Sequence, residues 1–154
     1  MNIFDKLQKQ YQEIDDNYAR KEFSCRSKGH HKKEAELRVK RELNDHAYFL
    51  FMFTRLEDFI RKESSKLISQ KQKTITNLKQ KRVWSIFPAA EDSNKIHFMH
   101  RVLLLVDKDS HDYNQVVKYY KQRNTISHGG TSSTAISIPT VVIDMKRLYS
   151  IFKA

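Results

Sequence analysis

The sequence predicts an all-α fold, a helical bundle of four main helices plus an extra one. Glycine and proline are scarce, at 3 and 2 of 154 residues, while Leu, Ile, Val, Phe and Tyr are plentiful. Apolar residues recur at intervals of three and four, and the segments between the periodic stretches are short. The length suits one domain over residues 1–154 with a single core.

Phe4, Leu7, Tyr11, Ile14 and Tyr18 form a helical stripe and predict a first helix from about Asn2 to Lys21. Phe23 to His31 is polar and carries Gly29, which predicts a loop. From Lys32 to about Lys71 no Gly or Pro intervenes, so the second helix is long. Ala35, Leu43, Ala47, Leu50 and Thr54 mark one of its faces, and Phe49, Met52, Phe53, Leu56, Phe59 and Ile60 mark another, so its middle is expected to be buried on more than one side.

Trp84, Phe87 and Pro88, followed by Glu91-Asp92-Ser93-Asn94, read as a structured connection ending in a helix cap. The third helix is expected from Lys95 to Asp107, with Phe98, Met99, Val102, Leu103 and Val106 inward. After Asp109-Ser110, the fourth carries Tyr113, Val116, Val117 and Tyr120, runs into Arg123, and is broken by Gly129-Gly130. Thr131 to Ser137 is too short to link domains. Pro139 suits the first turn of a last helix, with Val141, Met145, Leu148 and Phe152 as its stripe.

A net charge of +11, from 29 Lys and Arg against 18 Asp and Glu, favours a polyanionic partner, nucleic acid first. Met1 to Gln8 has no apolar run of the signal-peptide type, and the longest such run, Ala47 to Phe53, is too short to span a bilayer. The expectation is a cytoplasmic protein with no membrane contact. Cys25 is alone, which agrees with a reducing compartment.

The segment with most chemistry is Arg123-Asn124-Thr125-Ile126-Ser127-His128-Gly129. Arginine can hold a phosphate and histidine can move protons near neutral pH, a minimal kit for cutting RNA without metal. The spacing occurs three times, at Arg26 to His31, Arg41 to His46 and Arg123 to His128. The first copy falls in the expected loop. The second falls inside a long helix, where residues five apart are about 140° apart around the axis and do not converge. Only the third sits where a helix is about to end, beside two glycines.

Arg-Asn-x-Ile-x-His-Gly after a helix, in the second half of a small helical chain, resembles the HEPN family, whose hallmark is Arg, four to six residues, then His. The resemblance implies a homodimer in which both motifs line one cleft, and a metal-independent endoribonuclease needing no cofactor. It implies that Arg123 and His128 are catalytic, with Asn124 orienting them, and that 2′-OH attack leaves a 2′,3′-cyclic phosphate and a 5′-OH. It also implies a toxin or a defence or stress effector, with room for an antitoxin or regulatory protein as partner. Family toxins whose antitoxins modify a Tyr two residues after the His differ from this chain, which has Gly130 there. An acidic residue from an earlier helix often supports the motif, and Glu57 or Asp58 is the candidate.

A plainer account of the same residues stays open: Arg123 meets the last helical carbonyls, His128 caps the helix, and Gly129 stops it. Two basic tracts, Arg20 to Arg41 and Arg61 to Arg82, flank the apolar middle of the long helix and are candidate walls for an RNA backbone, Arg61 and Lys62 among them; a solvated surface is the competing account. Tyr119 and Lys121 precede the motif, with Tyr119 expected to leave the packing stripe and stack a base. Cys25, His30 and His31 are too few for a structural zinc site, and His97 and His100, with His111, are candidates for RNA or metal contact. The alternatives to catalysis are an RNA-binding or assembly module on the same dimeric fold, and a DNA-binding regulator suggested by charge alone.

Overall fold

The computed structural model describes residues 2–88, 95–130 and 135–153. The fold is all-α: six helices and no strand among the described residues, namely α1 (Ile3–Ser27), α2 (His31–Thr74), α3 (Leu78–Trp84), α4 (Phe98–Leu103), α5 (His111–Ser127) and α6 (Ile138–Ile151). The expected cap at Glu91 to Asn94, and Thr131 to Thr134 of the Ser/Thr-rich segment, lie outside the described residues. No described helix is long and apolar enough to cross a membrane.

The described residues group into two compact units. One comprises Met1–Thr54 and Gln122–Arg147, the other Arg55–Lys121 and Leu148–Ala154.

In the first unit, α1 and α2 form an antiparallel hairpin. α1 starts at Asn2, whose side chain accepts from the Phe4 amide, and it continues past Lys21 through the segment expected to be a loop. Arg26 there pairs across the hairpin, its Nε donating to Glu34 Oε1 at 2.8 Å, and within α1 its Nη2 donates to Glu22 Oε1 at 3.3 Å. Gly29 is the true stop. Its φ is +68°, the Gly29 amide donates to the Arg26 carbonyl and the His30 amide to the Cys25 carbonyl, a paired bonding that closes a helix end and needs a left-handed residue.

Further along the hairpin Arg41 grips Asp15 with two bonds, at 2.8 and 3.0 Å, and Glu22 with a third at 3.0 Å. The Tyr11 hydroxyl donates to Asp45 Oδ1 at 2.7 Å. Burial and the carboxylate together push the Tyr11 hydroxyl pKa up, and burial raises that of Asp45. Beneath these pairs Phe4, Phe49, Met52, Phe53, Ile138, Val141, Val142 and Met145 are buried, and Lys146 of α6 pairs with Asp5 of α1.

The long helix is buried on one side only, contrary to expectation. Phe49, Met52 and Phe53 are fully buried, whereas Val39 and Leu43 are 55% and 60% exposed, and Ala35, Ala47 and Thr54 are also exposed. An apolar stripe therefore remains open on α2.

In the second unit Leu56, Ile60, Ile68, Ile96, Phe98, Val102, Val116, Tyr119, Leu148 and Phe152 are buried. Phe59 stacks on Tyr149 at 4.0 Å, and the Tyr149 hydroxyl donates to the Arg55 carbonyl. α3, unforeseen in the sequence, is started by Asn77, whose Oδ1 accepts from the Lys79 and Gln80 amides. Gln72 ties it back to α2 by donating to the Trp84 and Phe87 carbonyls. α4 is shorter than expected because His97 begins it, its Nδ1 accepting from the Met99 amide. Arg101 is buried at 1% exposure, its Nη1 donating to the Arg61 carbonyl and to the Ser64 and Ser65 hydroxyls; desolvation lowers its pKa.

The Arg26 guanidinium holds the Glu34 pKa below its ordinary value of 4.5. A carboxylate depressed in the folded state contributes stability that is present above the unfolded pKa and lost as pH falls through the folded one. Glu34→Gln is therefore expected to melt below the parent at neutral pH. The gap should close as pH falls below 4.5; a gap unchanged down to pH of about 2 would show that Glu34 acts through packing instead.

Candidate functional site

The motif residues lie at the C-terminal end of α5, in the first unit. Ser110 begins this helix, its Oγ accepting from the Tyr113 amide at 3.1 Å. The helix ends by the same device as α1. Gly129, with φ +77°, donates to the Ile126 carbonyl at 3.0 Å and Gly130 to the Thr125 carbonyl at 2.9 Å, which places His128 at the C-cap. Of the plainer account, the glycine stop and the capping position of the histidine both hold.

Arg123 is half-buried, and its Nη1 donates to Asn124 Oδ1 at 3.0 Å. His128 is exposed. The helix persists through Ser127, and the His128 amide still bonds to the Asn124 carbonyl. The geometry that disqualifies the Arg41 to His46 copy therefore applies here as well: residues five apart on a helix point about 140° apart. Within one chain the two side chains leave the helix in different directions.

An apolar concavity of about 390 Å³ adjoins this helix end. Val39, Leu43, Ala47 and Leu50 of α2 line one side, and Ile126 with the two glycines lines the other. Glu42 and His46 also border it. These two are the polar α2 residues that sequence reasoning missed as neighbours of the motif. The signal was the second Arg-to-His copy itself, whose histidine lies two turns along α2 from Val39 and faces the same space.

The remaining candidates belong to the second unit, apart from the Cys25, His30 and His31 cluster of the first. Tyr119 is a correction: it is 4% exposed, part of the core and unable to offer a face to a base, whereas Tyr120 is half-exposed and packs on Phe98 at 5.1 Å. The three-and-four spacing admits either tyrosine, and the buried face passes through Val116 and Tyr119. Lys121 and Lys62 are exposed, and Arg61 sits 3.7 Å from Glu57. Glu57 is buried at 7%, engaged by its own helix neighbour, and Asp58 is exposed. His97 and His100 are neighbours with ring centroids 5.6 Å apart, but no group of three potential metal ligands occurs among the described residues, the Cys25, His30 and His31 cluster included.

The chain matches no protein-family model, no curated protein and no solved structure.

The helix end is sensitive to backbone chemistry. Gly129→Ala is expected to lower unfolding free energy by about 1–2 kcal/mol through its left-handed conformation, and Gly129→Asn by less. Equal losses for the two in urea unfolding would remove the backbone explanation.

Proposed function

We propose that the chain is a metal-independent endoribonuclease of the HEPN type, acting as a homodimer. The observation that carries the reading is the end of α5: a guanidinium positioned by Asn124, one turn from an exposed imidazole, beside an open apolar stripe. Divergence of Arg123 and His128 within one chain fits a composite site, in which each copy contributes from its own helix end. The stripe of Val39, Leu43, Ala47 and Leu50 is the surface for such pairing. A two-fold interface uses one patch on both copies, and this patch borders Gly129 and Gly130, so burying it draws both helix ends to one boundary.

In the reaction, a ribose 2′-oxygen attacks the adjacent phosphorus while one His128 removes its proton. The bond from phosphorus to the 5′-oxygen breaks, and the leaving oxygen takes a proton from the other His128. The products are a 2′,3′-cyclic phosphate and a 5′-OH. Arg123 holds the non-bridging oxygens as negative charge accumulates, and Asn124 keeps the guanidinium aimed. Glu42 and His46 supply polar groups at the border of the concavity. The setting is the cytoplasm, as a toxin or a defence or stress effector restrained by an antitoxin or regulatory protein.

A second reading is favoured by the same 140° divergence: a dimeric RNA-binding or assembly module that makes no cut. It retains the charge of +11 as its driving force and gives salt-sensitive binding without products.

The two are separated by incubating the purified chain with mixed RNA in EDTA. Cleavage is expected to persist and to leave cyclic phosphate ends, and His128→Ala is expected to lose about 10²- to 10⁴-fold in rate. Leu43→Asp, at an exposed position, is expected to yield monomers and comparable loss. Retained RNA with no products at any protein concentration moves the assignment to the binding module, and a His128→Ala protein that cuts at the parental rate removes the histidine from the chemistry.

A further inference from the structure

At the turn of the α1–α2 hairpin, three lysines, a hydroxyl and an imidazole surround a concavity of about 370 Å³. Lys21, Ser24 and Lys28 stand at intervals of three and four along α1 and its cap, with Cys25 on the same face. His30, Lys33 and Leu37 stand at intervals of three and four at the start of α2. Helical periodicity thus turns both sets towards one space. Cys25 and Leu37 are buried and form its floor, while the polar residues are exposed around the rim.

The fate of the nearby acids makes this space cationic. Glu22 is held by Arg26, Arg38 and Arg41, and Glu34 by Arg26 and Arg38. Glu36, the next exposed acid on α2, borders a separate concavity that shares Lys33 and His30. Among the described residues no ion pair engages Lys21, Lys28 or Lys33. Three ammonium groups therefore face one volume with no carboxylate lining it.

We infer that this concavity binds a terminal phosphate, as carried by a small phosphate monoester or by free phosphate. A monoester concentrates about two negative charges and three acceptor oxygens at one point, which suits three point-charge donors and a hydroxyl grouped around a single hollow. A diester backbone carries one charge per phosphate spread along a track, which a single hollow does not follow. The volume lies at the small end of the range for compact ligands, enough for a phosphate with part of its attached group over the Cys25 and Leu37 floor. None of Arg123, Asn124 and His128 lines this space, so the proposal does not rest on the ribonuclease reading.

Titration of the isotopically labelled full chain tests the site, with inorganic phosphate, adenosine 5′-monophosphate, adenosine, and a dinucleotide whose only phosphate is a diester. Phosphate and the monophosphate are expected to shift the amide signals of residues 21–33 saturably, and adenosine and the dinucleotide are not. Lys21→Ala, Lys28→Ala and Lys33→Ala combined are expected to weaken the monophosphate at least tenfold, with the amide signals outside residues 21–33 unmoved in the unliganded protein. A dinucleotide that binds as well as the monophosphate would make the hollow a stretch of RNA track and overturn the proposal. Absence of saturation by either phosphate ligand on the unmodified protein, an arm that needs no variant, overturns it too.

Discussion

The ion pairing between the first two helices organises much of what this chain presents to solvent. Asp15, Glu22 and Glu34 are gathered by Arg41, Arg26 and Arg38 along the hairpin, in several bonds of 2.8 to 3.0 Å. Arginine suits this task because its planar fork takes two acceptors at once and can bridge two carboxylates. Pairing at partly exposed positions contributes modestly to stability, but it sets the register of two helices that would otherwise slide along an apolar seam. It also separates the chain's cations into two populations. The arginines are committed across the hairpin, and the lysines at its turn are left facing outward, so acids consumed in one place create positive character in another.

Both ends of functional interest are made by one backbone device. Gly29 and Gly129 each take a left-handed conformation and close a helix with the same pair of bonds. In a chain with three glycines this is concentrated use of a scarce residue. At Gly129 the device lets α5 keep its helical form up to Ser127, and so decides that Arg123 and His128 project separately. In the proposed dimer a single copy of the motif is half of an arrangement, and the uncovered stripe on α2 is the surface that would bring the other half.

The all-α class was legible because helical spacing and the scarcity of breakers are properties of the sequence itself. Cross-helix chemistry was not legible. Residues 22–27 look polar and loop-like until Arg41 and Glu34 are seen to answer Glu22 and Arg26, since an ion pair between helices leaves no periodic mark. α3 was missed because seven residues give too short a stripe, although Asn77 as its cap was readable. The two faces of α2 both read as apolar, and only packing shows that Phe49 and Phe53 are covered while Leu43 is not. At the motif, the residues Arg123, Asn124 and His128 could be singled out at once, whereas the hydrogen bond from Arg123 to Asn124 is visible only in the structure. Tyr119 went wrong because two adjacent tyrosines straddle the edge of a buried face, and spacing alone does not choose between them.

Gly130 carries a consequence for how this chain could be controlled. A Cβ at that position would meet the Thr125 methyl at 2.9 Å and the Thr125 carbonyl oxygen at 3.0 Å, the same oxygen that the Gly130 amide uses to close the helix. A larger residue there would need the Thr125 methyl to move aside and its carbonyl to give slightly, against the bond that closes the helix. An acceptor side chain two places beyond the histidine would thus strain the closing turn of α5 at Thr125. On the proposed ribonuclease reading, restraint would come by covering the helix end or by keeping two copies apart.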